Sequence, residues 1–285
     1  MKNERYYEVV EKTAQTLVKA SSVFSQDKIE AYECCTESSE TSRWAIDAIV
    51  SNAKIAEERR SPLCDDTGIP HLILDIGKNR EISGDLIDAL YEGVKEGLRR
   101  LPGRPMAVKG NELRRIDQSE GLYENSDALV PAPLMLRYSD NPEMLKLTVM
   151  MQGGGPEIRS KTYRVFHKHN ADVVIDEIIS WASESVSLLG CSPCTIAIGI
   201  GRTHYEASSL MLQAMAEGDY RVQSDYERKI TDALNKTKVG ALGLGGDCSV
   251  LGTFMKIGPQ RASGVRIVCM RPCCCFEPRK ADIDL

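Results

Sequence analysis

The stretch CSPCTIAIGIGRTHYEASSLMLQAM, residues 191–215, predicts the central elements of the fold. A loop with two cysteines leads into an apolar run of strand length, then a glycine turn, then a helical pattern. The segment before it, 171–190, is also helical in pattern and ends at Gly190, a residue type that commonly terminates helices. Helix, strand and helix in succession indicate a protein that mixes both kinds of secondary structure.

Helical and strand patterns continue on both sides of this stretch. Helices are predicted over 5–24, 38–60, 85–100 and 220–236, and strands over 71–77, 144–151, 249–257 and 264–270. No internal repeat, low-complexity tract or obvious linker separates them. We therefore expect a single α+β domain over residues 1–285, with mixed β-sheets packed by helices.

Composition narrows the class of protein. The chain has 285 residues, of which 42% are hydrophobic and 27% charged, as in ordinary globular proteins. The formal net charge of −5 argues against nonspecific nucleic-acid binding, which needs a basic surface. No apolar run approaches the ~20 residues of a membrane span. The N-terminus lacks the apolar region of a signal peptide, so we expect a cytoplasmic protein.

Ten cysteines are present, and a reducing cytosol keeps thiols reduced unless they bind metal or take part in catalysis. Four of them lie in apolar or helical surroundings and are expected to be small buried side chains: Cys34, Cys35, Cys248 and Cys269. Cys191 and Cys194 form one C-x-x-C pair. No second pair follows at zinc-finger spacing, so zinc has little support.

Three cysteine-containing loops share one form, a cysteine beside glycine or proline at the edge of an apolar strand. They contain Cys64, Cys191 and the run at 273–275. Separate loop thiolates that a fold can bring together suit an iron–sulfur cluster. A cluster held by three thiolates leaves one iron open, and an open iron can act as a Lewis acid on a hydroxyl and a carboxylate. On pattern alone, three scattered cysteines also fit unrelated structural roles.

Two polar segments leave alternatives open. QGGGPEIRSK, 152–161, can form a nest of backbone N–H groups for an anion, with Arg159 and Lys161 nearby, or a tight turn with solvated charges. Asp65 and Asp66 can serve as general acid or base, or cap a turn. The glycine turns at 199–207 and 240–246 match neither the dinucleotide-binding nor the Walker A pattern.

Five motifs together resemble one family. PLCDDTG (62–68), QGGGPEIRSK (152–161), CSPCTIAIGIG (191–201), GLGGDCSVLG (243–252) and the terminal C-x-x-x-R-K (275–280) are similar to the motifs of the α subunit of two-subunit class I fumarases and L-tartrate dehydratases. The likeness covers essentially the whole chain. It implies an iron–sulfur hydro-lyase that adds or removes water on a small hydroxy dicarboxylate, and a separate β subunit.

The resemblance also implies a ligand set for a [4Fe-4S] cluster with one open iron. Cys64 and Cys191 match the first two ligands, and Cys194 falls inside the following strand. Matching the terminal signature gives Cys275 as the third ligand, whereas counting from GLGG without gaps gives Cys273. The signature is the better guide, because the basic Arg279 and Lys280 can then offset the negative charge of the cluster.

Substrate contacts carry over by motif. Arg104 matches an arginine that binds a substrate carboxylate, which suits a guanidinium fork. Asp66 matches a catalytic aspartate of the family, and Gly154 and Gly155 match a backbone contact to the substrate.

Two positions depart from the family. Asp65 stands where relatives usually have Gln, and Arg261 stands where an ungapped alignment places a substrate-contacting His. Both changes alter the charge around the substrate, so a related hydroxy acid is an alternative to fumarate, malate or tartrate. A paralogous iron–sulfur dehydratase, or a non-catalytic iron–sulfur or redox-sensing protein, remains open.

Overall fold

A computed structural model describes residues 4–285. Its contacts divide the chain into two compact units, each with its own sheet and core. Unit 1 contains the residues up to Val23, Ala53–Gly153 and Arg279–Leu285, and unit 2 contains Phe24–Asn52 and Gly154–Pro278. The predicted α+β class with mixed sheets is confirmed.

The secondary structure alternates along the chain. The helices are α1 (Glu4–Ser22), α2 (Gln26–Glu33), α3 (Glu40–Arg59), α4 (Gly84–Arg100), α5 (Glu112–Asp117), α6 (Gly154–Glu157), α7 (Ala171–Leu189), α8 (His204–Glu217) and α9 (Asp225–Asn235). The strands are β1 (Ile69–Gly77), β2 (Met135–Ser139), β3 (Leu145–Gln152), β4 (Lys161–Phe166), β5 (Cys194–Gly201), β6 (Val250–Ile257), β7 (Val265–Cys273) and β8 (Lys280–Asp284). Among residues 4–285, no helix is long and apolar enough to span a membrane.

The sheet of unit 1 has the order β2-β1-β3-β8, with β1 parallel to β2 and the other pairs antiparallel. Helices α1 and α4 pack closely together. A Cβ at Gly93 would lie 2.5 Å from the Thr13 Cβ, so glycine permits this approach. Leu17, Leu90 and Leu147 are fully buried in the resulting core.

The sheet of unit 2 has the order β4-β7-β5-β6, with β5 parallel to β6 and antiparallel to β7. Every residue of β5 is buried. A Cβ at Gly199 would lie 2.0 Å from the Ala207 carbonyl oxygen, so the glycine-rich strand lets α8 lie directly on the sheet. Gly190 ends α7 with a φ of 76°, as the sequence predicts.

All the predicted helices and strands are present, with shifted ends. The pattern at 220–236 becomes helical only at Asp225, after a capping box on Ser224, and β7 continues to Cys273, beyond the predicted 264–270. Elements α2, α5, α6, β2, β4 and β8 are absent from the sequence-based prediction. They are short, and their formation depends on packing and strand pairing rather than on local periodicity.

The expectation for four buried thiols is partly wrong. Cys35, Cys248 and Cys269 are buried as expected, but Cys34 is exposed. Unexpectedly, Cys35 forms a disulfide with Cys248 across a Cα–Cα distance of 6.2 Å. The loop after α2 is docked on the loop before β6, because the Glu37 carboxylate accepts hydrogen bonds from the backbone N–H groups of Asp247 and Cys248. That docking brings the two cysteines together.

We expect Cys35→Ser to lower the free energy of unfolding by about 2–4 kcal/mol, because a disulfide restricts the unfolded chain. The measurement is urea unfolding of the full chain without reductant. Cys34→Ser is the matched control and should leave the midpoint unchanged. Equal midpoints for Cys35→Ser and the unaltered chain would contradict the disulfide.

Candidate functional site

The loop that carries Cys64 connects α3 to β1 in unit 1, and Cys64 itself is half-buried. The Leu63 N–H donates to the Ser21 carbonyl over 2.9 Å, which anchors the loop to the end of α1. Thr67 is buried, and its Oγ1 has no hydrogen-bond partner among the described residues. Cys64, Asp65 and Asp66 therefore lie between the hydrogen-bonded Leu63 and the buried Thr67.

Gly68 explains the Thr-Gly of the motif. Its φ is +88°, and an added Cβ would lie 2.6 Å from Arg279 Nη2 and 2.9 Å from the backbone of Gln152. A larger residue would meet both a conformational and a steric barrier. Glycine at this position therefore allows the Cys64 loop to turn into β1 directly beside β3.

Arg279 holds the same loop from the other side. Its side chain is almost fully buried, with Nη1 donating to the Asp66 carbonyl over 2.7 Å and Nε donating to the Met151 carbonyl over 3.1 Å. The sequence pattern predicts only charge compensation for Arg279. These bonds add a positioning role, because they tie the loop after Cys64 to strand β3.

Arg104 lies on a loop that packs against the Cys64 loop. A Cβ at Gly103 would lie 2.7 Å from the Thr67 Oγ1, so the two loops are in close approach. Arg104 Nη1 lies 3.6 Å from Asp65 Oδ2, and the two side chains are 55% and 85% exposed. Such an exposed pair contributes little to stability, so the guanidinium remains accessible to another carboxylate. Unit 1 therefore brings together four of the predicted site residues: Cys64, Asp65, Asp66 and Arg104.

Two further candidate ligands meet in unit 2. The Cys275 N–H donates to the Cys191 carbonyl over 2.8 Å. Cys191 is exposed and Cys275 is buried. Cys194 is a buried residue of β5, as predicted. The loops of Cys191 and Cys275 are therefore neighbours even though the cysteines are far apart in sequence.

The run Cys273–Cys275 is not extended throughout. Strand β7 ends at Cys273, which is fully buried, and Cys275 lies in the turn that follows. An extended run would place Cys273 and Cys275 on one face, and the turn after Cys273 removes that condition. The thiol of Cys274 forms a hydrogen bond with Cys275 that, together with burial, raises the pKa of Cys275. Burial likewise raises the pKa of Cys273.

Two side chains of helix α2 hydrogen-bond to the backbone of this cysteine segment. Lys28 Nζ donates to the Glu277 carbonyl over 2.7 Å, and the Tyr32 hydroxyl donates to the Cys275 carbonyl over 2.7 Å. Burial lowers the pKa of Lys28 to about 8, against the opposing effect of the nearby thiols. Neither residue belongs to any of the five sequence motifs. Their i, i+4 spacing places a cation and a phenol on one helix face, which is a signal for such a role.

The glycine turn is partly as expected. Gly154 and Gly155 are exposed and are the first two residues of α6, so their backbone N–H groups lie at the N-terminus of this helical turn. Lys161 Nζ forms a 2.7 Å ion pair with Glu184, although the sequence placed it beside the anion-binding turn 152–161. Arg261 is exposed on the loop between β6 and β7, and nothing in unit 2 assigns it a partner within the site.

The cysteine thiols of these loops are the type of ligand that binds an iron–sulfur cluster. Cys64, Cys191 and Cys275 lie on loops and outside any disulfide, and thiolates are the protein ligands of such clusters. Within residues 4–285, no set of three or more His, Cys, Asp or Glu side chains converges as at a metal ion. The fit therefore rests on the chemistry of the thiols and on the hydrogen bond between the Cys191 and Cys275 loops.

We expect Gly68→Ala to destabilise the full chain by about 1–3 kcal/mol, because alanine strains a backbone with positive φ. It should also make Cys64 react faster with an alkylating reagent, since the loop loses its close contact with β3. Urea unfolding and mass spectrometry of the labelled peptide measure the two effects. Gly84→Ala is the control, because a Cβ there meets nothing within 4 Å. Equal midpoints and labelling rates for the two variants would contradict this explanation.

Known proteins with similar sequences include α subunits of tartrate dehydratases. A protein of Methanocaldococcus jannaschii, provisionally named L(+)-tartrate dehydratase subunit alpha, is 29% identical over 264 residues, which cover 88% of this chain and 87% of the relative. The L(+)-tartrate dehydratase subunit alpha of Escherichia coli K12 is 21% identical over 245 residues, covering 83% of this chain and 77% of the relative.

A family profile gives the broader assignment. The profile of fumarate hydratase (Fumerase) matches residues 10–284, which include every motif used above. This match agrees with the resemblance found from the five motifs. The chain therefore belongs to the fumarate hydratase (Fumerase) family and is a hydro-lyase.

Proposed function

We propose that residues 1–285 form the α-subunit catalytic domain of a [4Fe-4S]-dependent hydro-lyase that reversibly adds or removes water on a small hydroxy dicarboxylate of the fumarate, malate or tartrate type. The family match and the names of the relatives support the reaction class. The structural observation that carries the cofactor proposal is the hydrogen bond from the Cys275 N–H to the Cys191 carbonyl, 2.8 Å long. It joins two thiol-bearing loops that the cysteine pattern alone leaves unconnected.

The proposed ligands are Cys64, Cys191 and Cys275. A cluster bound to them would supply an iron without a thiolate ligand, which can polarise the substrate hydroxyl and bind a carboxylate. The side chains of Cys191 and Cys64 are at least partly accessible, as loading of a cluster requires. Cys275 is anchored through its own backbone, since its N–H and its carbonyl are both hydrogen-bonded. Cys273, fully buried at the end of β7, is the alternative third ligand.

Substrate binding falls to Arg104 and the glycine turn. A guanidinium stays charged at any working pH and can hold a carboxylate through two parallel hydrogen bonds. Gly154 and Gly155 would contribute backbone N–H groups, and Asp66 is the proposed catalytic carboxylate. Asp65 lies 3.6 Å from Arg104, so it competes with the substrate for the same guanidinium.

Asp65 also supports a second candidate, a paralogous dehydratase with a different hydroxy acid. A carboxylate beside Arg104 repels an anionic group that an amide would accept, so the preferred substrate would carry a neutral or hydrogen-bond-donating group at that point. Arg261 would add a positive charge elsewhere in the site. A non-catalytic iron–sulfur protein has less support, because a cluster carrier needs no carboxylate-binding arginine.

A β subunit and a cytoplasmic location complete the proposal. The relatives are named as α subunits, which supports a second chain that supplies further substrate contacts and proton-transfer groups. Eight of the ten cysteines lie outside the Cys35–Cys248 disulfide, and reduced thiols persist best in a reducing compartment, whereas a disulfide is unusual there.

The function is tested by anaerobic co-expression with a β subunit and a screen for dehydration of malate, tartrate, citramalate and related acids. We expect turnover of at least one, and a loss of about 100-fold or more in kcat/KM for Arg104→Met, because a bidentate charged hydrogen bond is lost. Arg99→Met is the control, since Arg99 is an exposed arginine paired with Asp127. Absence of turnover with every acid, or full activity of Arg104→Met, would refute the proposal.

The ligand set is tested by single serine substitutions at Cys273, Cys274 and Cys275. Anaerobic wild-type protein should be brown, absorb near ~400 nm and hold about four irons per chain. Cys275→Ser should lose iron and activity, whereas Cys274→Ser should retain both. Cys269→Ser is the control for a buried thiol outside the loops. A dead Cys273→Ser beside an active Cys275→Ser would make Cys273 the ligand, and zinc without sulfide in the wild-type protein would exclude the cluster.

A further inference from the structure

Arg271, on strand β7, has a fully buried side chain. Its Nη2 lies 3.1 Å from Glu277 Oε2, and that carboxylate is also fully buried. Its Nη1 forms an ion pair with Glu157, whose side chain is 66% exposed. A buried charge is tolerated only when partners compensate for the loss of water, so this guanidinium must be held between its two carboxylates.

The two carboxylates belong to two different parts of the proposed site. Glu157 is the last residue of α6, the helical turn that Gly154 and Gly155 open. Glu277 follows Cys275 by two positions, in the cysteine segment. A single side chain in unit 2 therefore connects the proposed substrate-binding turn to the proposed ligand loop.

Neither segment is rigid by its own local structure. Helix α6 has 4 residues, too few for a stable isolated helix, and the Ile158 N–H just after it donates to the Gly154 carbonyl. The cysteine segment leaves β7 after Cys273 and forms a turn in which the Glu277 N–H donates to the Cys274 carbonyl. External contacts must fix both segments, and Arg271 is common to the two.

Stability alone is a poor explanation for this ion pair. Buried ion pairs are often no more stabilising than apolar side chains of the same volume, and their best attested use is to specify one arrangement. Here the arrangement concerns two loops that would act on one substrate.

We propose that Arg271 is a positioning residue that couples the glycine turn 154–157 to the cysteine segment 273–277, so that the substrate-binding turn and the ligand loop keep one fixed geometry. The inference rests on the proposed function for the roles of the two segments, although the coupling itself is a property of the chain.

The test uses the full-length chain, first without iron. Glu157→Gln and Glu277→Gln each remove one charge from Arg271, and amide hydrogen exchange is followed in peptides covering 154–160 and 273–277. Glu184→Gln is the matched control, because Glu184 pairs with Lys161 over 2.7 Å, next to the turn and away from Arg271. If Arg271 couples the segments, each variant speeds exchange in the distant segment by about tenfold, the factor expected when one hydrogen bond to a charged group is lost.

Exchange that rises only in the segment carrying the substitution would overturn the proposal, as would the same response in Glu184→Gln. Glu277→Gln leaves Arg271 with less compensation and can unfold. In that case Arg271→Met combined with Glu277→Gln removes both buried charges together, and it must speed exchange at 154–160 as Glu157→Gln does; an unchanged turn would refute the coupling.

A second readout uses the iron-loaded protein with a β subunit. Glu157→Gln should raise KM about tenfold with little change in kcat, and should alter the electron paramagnetic resonance spectrum of the reduced protein despite full iron content, because the ligand loop shifts. An unchanged spectrum with an unchanged KM would count against positioning. If the wild-type chain holds no iron and dehydrates nothing, the proposed function fails, while the exchange result still decides the coupling.

Discussion

The antiparallel pairing of β5 with β7 is the constraint on which the candidate site in unit 2 depends. Thr195 at the start of β5 is paired with Cys273 at the end of β7, so the loop that precedes one strand adjoins the loop that follows the other. The Cys275 N–H to Cys191 carbonyl hydrogen bond extends this pairing past the ends of the strands. A register shift of one residue would turn Cys273 to the other face and separate the two thiol-bearing loops.

In unit 1 a buried arginine, rather than a strand pair, holds the cysteine-bearing loop in place. Arg279 donates to the carbonyls of Asp66 and Met151, and Gly68 permits the close approach that these bonds need. The Cys64 loop is thereby fixed to β3, and the Arg104 loop packs on it at Thr67. Backbone carbonyls are the acceptors, so the loop keeps its shape whichever side chains it presents at Asp65 and Asp66.

Two buried cations contact the cysteine segment at Glu277. Lys28 and Arg271 are each almost completely buried, and each bonds to Glu277, the lysine to its carbonyl and the arginine to its carboxylate. Burial of two cations is unfavourable without compensation, which the Glu157 and Glu277 carboxylates supply for Arg271 and the Glu277 carbonyl supplies in part for Lys28. A negatively charged cluster would fit such an environment, which gives the proposed cofactor a physical basis beyond the count of cysteines.

The fold class, the long helices and strands and the family are all predictable from the sequence, because periodicity, glycine positions and motif order are local properties, and the site residues it proposes stay predictions. The sequence did not reveal the short helices α2, α5 and α6 or the strands β2, β4 and β8, and it did not show that β7 ends at Cys273. It also missed the Cys35–Cys248 disulfide, the anchoring by Lys28 and Tyr32, and the link from Arg271 to Glu157 and Glu277. Each of these joins residues that are distant in the chain or depends on where a strand loses its partner. Only the tertiary structure decides such contacts, because strand pairing and burial, rather than neighbouring residues, determine which side chains meet.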